Sequence, residues 1–411
     1  GWIDAEGYIQ SGLTIKKLAD MLQTNRTYLS EYIKTTYGAS FRDWITGLRI
    51  NYAKRLLAQY FGVADVVLTS SGRNSLFLLL SYLHHKKVIV PSYTCKAVTE
   101  AALMAGKQVV YVEVSLEDFN ILPEKLVHLV DDDSIVIATH QYGNPCRIEE
   151  ICDICRKAGA LVIEDCAASL GTVYNGKLTG LFGNYAFFSF DSTKLVTVPS
   201  KGGFIIAADA AEFHAIEQHV MECRIPGIRF RLKHTVIGMI YLVLRNKIIY
   251  RIFHYVTMQR KGKAQLDDKH ALNLVPDDYY RYRMAAWQAY MAIPQIEILP
   301  ELIERRKMMY HYYDEHIRNT RVLRKPVVCS EACCIKYVIL VKDKKRFYDA
   351  CLEKGVDMAF SFSYTVCPRS CEHASDIAAE ELNIPFYWGL REKDMERVVS
   401  IINWLAAEIG R

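Results

Sequence analysis

Lys194 lies in SFDSTKLVTVPSKGG, residues 189 to 203, between a strand-like YAFFSF and a glycine pair. A lysine beside a bound cofactor can lose its proton at lower pH and attack a carbonyl to form a Schiff base. Two other stretches offer partners for that chemistry. ALVI runs straight into Glu164 and Asp165, acids at the end of a strand that otherwise reads as fully buried. A buried unpaired carboxylate is costly, so one of them needs a cationic partner. It is either half of a structural salt bridge or a carboxylate that keeps a pyridine nitrogen protonated and makes the ring an electron sink. After VVLT, SSGRNS turns at Gly72 into a helix, either as a plain cap or as a site where backbone amides and the helix dipole receive a phosphate. Phosphate turn, buried aspartate and later lysine are, in that order, the parts that pyridoxal 5'-phosphate needs. No G-x-x-x-x-G-K-[ST] or G-x-G-x-x-G occurs, which disfavours nucleoside triphosphate and dinucleotide readings.

The elements that must position these groups alternate. VVLTSSG then NSLFLLLSYL, KVIVPS then AVTEAALMAG, QVVYVEV, SIVIATH and ALVIEDCA read as strands separated by helices, the pattern of a largely parallel sheet covered on both faces. Sites in such folds gather at the carboxyl ends of strands. The length of 411 residues implies one large unit or two to three domains. With half the residues apolar and a formal charge of only +5, the chain is expected to be globular, and global charge gives no reason to expect nucleic acid. Twelve cysteines without a regular framework, behind a start with no secretory leader, are expected to be reduced thiols in the cytosol. Cys152 and Cys155 form a C-x-x-C with no second pair, and are read as two thiols on a buried helix face rather than as a zinc site.

Residues 58 to 411 resemble the DegT/StrS sugar aminotransferases, a branch of the fold type I pyridoxal phosphate enzymes. The resemblance rests on SSGRNSL, PSYTCKAV, HQYGNP, IEDCAASLG, SFDSTK and KGG, and downstream on YYRYRMAAWQAYMAIPQIEILPELIERR. It implies an α/β fold with a mostly parallel sheet and a small C-terminal α+β domain. It also implies a homodimer and transfer of an amino group from glutamate to a keto sugar. Carried over by position, Lys194 would bind the cofactor covalently and shuttle protons, and Asp165 would pair with the ring nitrogen. Gly72, the Arg73 amide and Ser189 would hold the phosphate. The family's lysine, rather than the histidine of its dehydratase members, favours transamination. Four positions depart from the pattern: Cys95 replaces the aromatic residue stacked on the ring, Ala168 a glutamine, Arg73 a threonine and Arg281 an asparagine. The first two bear on ring stacking and one hydrogen bond. The last two put charge where the family has neutral donors around the phosphate.

Residues 1–57 are a separate reading. In TIKKLADMLQTNRTYLSEYIKTTYG, Ile15, Leu18, Ala19 and Leu22 follow a helical apolar period behind an N-cap at Thr14, and a second helix carries Leu29 and Ile33 to a stop near Gly38. This is a helix-turn-helix plan in which Arg26, Thr27, Ser30 and Lys34 would face DNA. Through SFRDWITGLRINYAKRLL it resembles the first half of an AraC-type DNA-binding domain, whose second half is absent. A single unit neutralises few phosphates, so DNA binding is expected to be weak. The alternatives are a packing module that no longer binds DNA and a regulator that uses the aminotransferase-like domain to sense ligand. INYAKRLLAQYFGV reads as one helix across the join, with no flexible linker.

The remainder divides into a cofactor-binding domain, 58–300, and a small domain, 301–411. Within the first, residues 223 to 266 hold ten Lys or Arg and no acid, which leaves the rest of the chain at about −5. Their longest charge-free run, Thr235 to Leu244, falls short of the roughly 18 residues a bilayer span needs. Aromatic and aliphatic residues interleaved with cations suit either a helix lying on an anionic membrane surface or core helices whose arginines meet acids or substrate phosphates. The first would place the protein at the inner membrane and make a lipid-linked sugar a candidate substrate. Arg369 and His373, in a loop near the expected substrate position, are further candidate contacts.

Overall fold

The computed structural model describes residues 2–244, 246, 248–253, 256, 272–275, 278–361, 367–368 and 371–410. Its main sheet has seven strands: β1 (Val67–Thr69), β2 (Lys87–Pro91), β3 (Gln108–Val112), β4 (Ser134–Thr139), β5 (Leu161–Asp165), β6 (Tyr185–Ser189) and β7 (Gly203–Ala207). Their spatial order is β1-β7-β6-β5-β4-β2-β3, and β7 alone runs antiparallel to its neighbours. The largely parallel sheet read from the apolar runs is therefore present. Alternation along β6 shows why both faces are covered. Tyr185 and Phe187 pack on one side with Leu76, Leu79 and Ile216, while Ala186 and Phe188 pack on the other with Leu57, Phe61 and Phe204.

Helices α1 (Ile15–Met21), α2 (Arg26–Tyr37) and α3 (Phe41–Phe61) precede β1. Thr14 caps α1 by accepting the Lys17 amide at 3.2 Å, and α2 ends at Gly38 with φ 63°, as the sequence implied. Leu18, Ala19, Leu29 and Ile33 close a small core between α1 and α2. Helix α3 runs unbroken to Gly62, so the expected division after residue 57 falls inside a helix. Leu57, fully buried, belongs to the same core as Phe188 and Phe204, and Tyr8 and Ile45 join it. The first segment thus packs on the large domain rather than standing apart from it.

On the large domain, α4 (Gly72–Tyr82), α5 (Lys96–Met104), α6 (Ile148–Ala158), α7 (Ala210–Met221), α8 (Ile228–Leu244) and α9 (Ala286–Glu297) follow. Cys155 is buried on α6 and Cys152 is half-buried, as expected of a C-x-x-C on a core-facing helix, and none of the twelve cysteines forms a disulfide among the described residues. Helix α10 (Leu299–His316) leads into a second core around the antiparallel strands β8 (Leu323–Arg324), β9 (Tyr337–Val341) and β10 (Glu381–Ile384). Arg306 of α10 is buried between Ile335 and Phe386 and donates to their carbonyls at 3.4 and 2.9 Å, tying the approach to β9 to the chain after β10.

Candidate active site

The carboxyl ends of β1, β4, β5 and β6 converge on a cavity of about 310 Å³ that is closed on its far side by Ile335 and Lys336 of the small domain. Its wall includes Gly72, Arg73, Cys95, Asp165, Ala168, Ser189 and Lys194, so positions far apart in the chain meet as the resemblance implied. Arg281 does not join them. Its carbonyl accepts the Arg224 amide at 3.0 Å and its side chain is exposed, outside this cavity. His373 is likewise occupied elsewhere, its ring donating to the Val114 carbonyl at 2.7 Å, and Arg369 lies outside the described residues.

The phosphate turn is built on close approach. Ser71 caps α4 by accepting the Asn74 amide at 3.1 Å, leaving the first amides of an 11-residue helix aimed at the cavity. A Cβ on Gly72 would stand 2.6 Å from the Ser189 Cβ and 3.2 Å from the Phe188 carbonyl. One on Gly203 would stand 2.5 Å from that carbonyl and 2.8 Å from the Gly72 nitrogen. The glycine of SSGRNS and the second glycine of KGG therefore serve one contact: they let α4 start against β6 with Ser189 beside it.

The two acids at the end of β5 point to different tasks because neighbouring strand residues face opposite sides. Glu164 is fully buried and accepts His140 Nε2 at 3.0 Å and the amides of Gly180, Phe182 and Gly183 at 2.8, 2.7 and 2.8 Å. Burial raises its pKa, but the His140 bond and these amides outweigh it and hold the carboxyl below its ordinary range. His140 Nδ1 accepts the Cys146 amide at 3.2 Å, which places the ring proton on Nε2, facing Glu164. With that tautomer His140 gives the buried Glu164 a hydrogen-bond donor rather than the cation the sequence led one to expect. With Cys166 these two form a cluster of ligand-type atoms within 4.8 Å, yet both imidazole nitrogens and both carboxylate oxygens already have protein partners.

Asp165 faces the cavity. Burial pushes its pKa up, opposed by the Ala167 amide at 3.0 Å and by the charges of Lys194 and His140. Lys194 stands on the 191–202 excursion between β6 and β7, closed by the Phe190 amide on the Gly202 carbonyl at 2.8 Å and pinned by buried Leu195, Val196 and Val198. Helix α9 braces it from outside: Gln295 holds both main-chain groups of Thr197 at 2.9 and 2.8 Å, and buried Gln288 donates to the Ser200 carbonyl at 3.0 Å. Lys194 is half-buried in a rigid loop, not a solvated surface charge.

Two cations escaped the sequence reading. Lys201 lines the cavity, 3.8 Å from Asp191, with its ammonium 4.6 Å from the Tyr279 ring centroid. Lys336, the first residue before β9, reaches the cavity from the small domain. Burial lowers its pKa, opposed by Glu381, and its ammonium donates to Ser361 and lies 5.8 Å from the Tyr142 ring centroid. The signal was a lysine inside the apolar run CCIKYVILV, where an ion needs a reason. In all, Arg73, Lys194, Lys201 and Lys336 outnumber Asp165 and Asp191 on this wall, a donor set suited to an anion. The glycine cradle, the helix N-terminus, the lysine and aspartate on one cavity wall and this charge excess fit a phosphorylated pyridine.

The four DNA-facing candidates, Arg26, Thr27, Ser30 and Lys34, lie exposed together on α2. None of them lines the cavity.

Comparison with known proteins agrees with the fold. A transaminase of Aneurinibacillus thermoaerophilus, named for dTDP-3-amino-3,6-dideoxy-alpha-D-galactopyranose, is 25% identical over 93% of this chain and 98% of its own length. The GDP-perosamine synthase of Vibrio cholerae is 30% identical over 44% of this chain, which spans about half, 49%, of that relative. Among solved structures, Helicobacter pylori PseC, an aminotransferase involved in the biosynthesis of pseudoaminic acid, superposes with a TM-score of 0.69 at 16% identity, covering 88% of this chain and 91% of that one. Residues 36–403 match the DegT/DnrJ/EryC1/StrS aminotransferase family, to which this chain belongs.

Proposed function

We propose that this protein is a pyridoxal 5'-phosphate-dependent aminotransferase that moves an amino group from glutamate to a keto sugar, carried on a nucleotide or a lipid, for cell-surface polysaccharide. The carrying observation is that Lys194, Asp165 and the N-terminus of α4 border one cavity although the chain separates them widely. The cofactor, when bound, supplies an aldehyde for the lysine and an electron sink for the carbon that exchanges its proton. The Gly72 and Arg73 amides with the Ser189 hydroxyl would hold the phosphate, and Asp165 would hold a proton at the ring nitrogen. Lys194 Nζ would take and return the proton at the reacting carbon. Lys336, across the cavity, receives the carboxylate of the amino donor. The family relatives named above support the substrate class. A homodimer in the cytoplasm is part of the same reading.

The test is spectroscopic. Protein incubated with pyridoxal 5'-phosphate should turn yellow, bleach on addition of glutamate, and after borohydride reduction carry the label at Lys194. A protein that stays colourless sinks the reading.

A second reading, weak DNA binding through α1 and α2, is favoured by the exposure of Arg26, Thr27, Ser30 and Lys34 on one helix. Colour without bleaching, together with a salt-sensitive mobility shift of duplex DNA, would support it over catalysis.

A further inference from the structure

We infer that α8 and the helical residues 248–253 form a docking face for an anionic phospholipid bilayer. Among the described side chains of α8, only Phe230 and His234 are buried, Phe230 against Tyr279 and Tyr282. The outward residues are large and apolar: Ile228 is 62% exposed, Leu232 59%, Met239 52%, Ile248 71%, Ile252 60% and Phe253 48%. Large apolar side chains left exposed in such number on a folded domain mark a contact site. Its charge selects the partner. Arg224, Arg229, Lys233 and Arg251 are exposed on the same segment, and residues 223–266 contain no acid. A second copy docking through this face about a two-fold axis would oppose one cationic segment with another. A bilayer with anionic headgroups instead takes the apolar side chains into its acyl boundary while the cations stay at the phosphates. No helix among the described residues is long and apolar enough to cross a membrane, so the contact lies on the surface.

The face is wired to the active site. The His234 ring bonds the Tyr279 hydroxyl at 3.1 Å, and Tyr279 carries the Lys201 ammonium that lines the cavity. Docking therefore brings one cavity wall close to the headgroups, where an acceptor sugar on a lipid carrier would be presented. This last step rests on the aminotransferase reading; the docking itself does not.

The experiment is co-sedimentation of the full chain with vesicles of phosphatidylglycerol and phosphatidylcholine, against vesicles of phosphatidylcholine alone. Binding to the anionic vesicles, weakened by salt, is expected. Leu232→Asp with Ile252→Asp should abolish it. Arg229→Glu and Lys233→Glu, which leave the apolar side chains intact, should each lower partitioning by at least about fivefold. Absence of the wild-type chain from the pellet overturns the proposal, as does equal binding to both vesicle types. So does an aspartate variant that only converts a dimer to monomers. None of these readouts requires catalysis, so the cofactor assay and the vesicle assay can fail independently.

Discussion

His140 Nε2 donates to Glu164 at 3.0 Å with both side chains fully buried, while Asp165, the next residue, faces the cavity. The pair fixes the 180–183 turn, because three of its amides share the same carboxylate. Replacing Glu164 by Gln keeps the shape, but its amide nitrogen cannot accept these hydrogens. We expect a loss of about 3–5 kcal/mol in unfolding free energy, read by urea titration. The pH dependence has a definite sign. The folded pKa of Glu164 is depressed, so its stabilisation is present above the ordinary carboxylate value and is lost as pH falls through the folded one. Below about pH 4.5 the wild-type advantage over Glu164→Gln should shrink.

Asp165 predicts the opposite. Its folded pKa is raised by burial, so the folded state binds the proton more tightly, and stability falls as pH rises from the unfolded value through the folded one. Asp165→Asn removes that burden and keeps an oxygen for the Ala167 amide. The cofactor-free variant should melt higher than wild type at pH 7 while transamination drops by about 10²-fold or more, because the ring nitrogen loses its acid partner. Calorimetry and a coupled assay on the same preparation decide it. A variant that melts lower and stays active contradicts the assignment.

Gly72→Ala tests the phosphate cradle. The added carbon meets the Ser189 Cβ at 2.6 Å and the main chain of Phe188 at 3.2 Å, and main chain cannot swing aside as a long side chain would. Overpacking of this kind costs about 1–3 kcal/mol. Because the strain falls where α4 meets β6, cofactor affinity measured by absorbance titration should fall along with the melting temperature.

Much of this was legible beforehand, for identifiable reasons. The apolar runs that became β1, β2, β4 and β5 are buried on both faces, so they read as continuous rather than alternating, and the motifs at their ends marked the cavity wall, whereas the edge strand β3 is only partly covered. Gly72 and Lys194 carried their own signals, a turn before a helix and an amine before a glycine pair. The second glycine of that pair did not, since its role is contact with Phe188 and Gly72 across strands, which spacing does not encode. His140 stood in the quoted HQYGNP without a role because its partner, Glu164, is 24 residues on and meets it only through the parallel pairing of β4 with β5. Arg281 was placed by position in a motif, but its main chain pairs with Arg224 of the basic segment and leaves the side chain outside. The helix read across the join at residue 57 is present as α3. Leu57 looks like the end of a DNA-binding helix but fills the core beneath β6, so Leu57→Ala should cost about 2–5 kcal/mol in global stability.

Lys336 offers the sharpest separation of roles. Glu381, fully buried beside it, accepts the Ser361 amide at 3.1 Å and the Asn383 side chain at 2.7 Å, and feels the charges of both Lys336 and Lys344. Buried Lys344 and half-buried Lys336 against one carboxylate leave positive charge on the cavity side, where Lys336 and Lys194 share the wall. If that charge receives the donor's carboxylate, Lys336→Met should raise KM for glutamate at least about tenfold. KM for the sugar and the absorbance of the bound cofactor should change little. The single variant also removes one of the two positive charges that buried Glu381 feels, so Lys336→Met with Glu381→Gln is the necessary companion. The double variant should recover melting temperature but not glutamate affinity, because the first depends on the charge balance around Glu381 and the second on the lysine alone. Recovery of both would make Lys336 a structural cation, and loss of neither would remove it from the site.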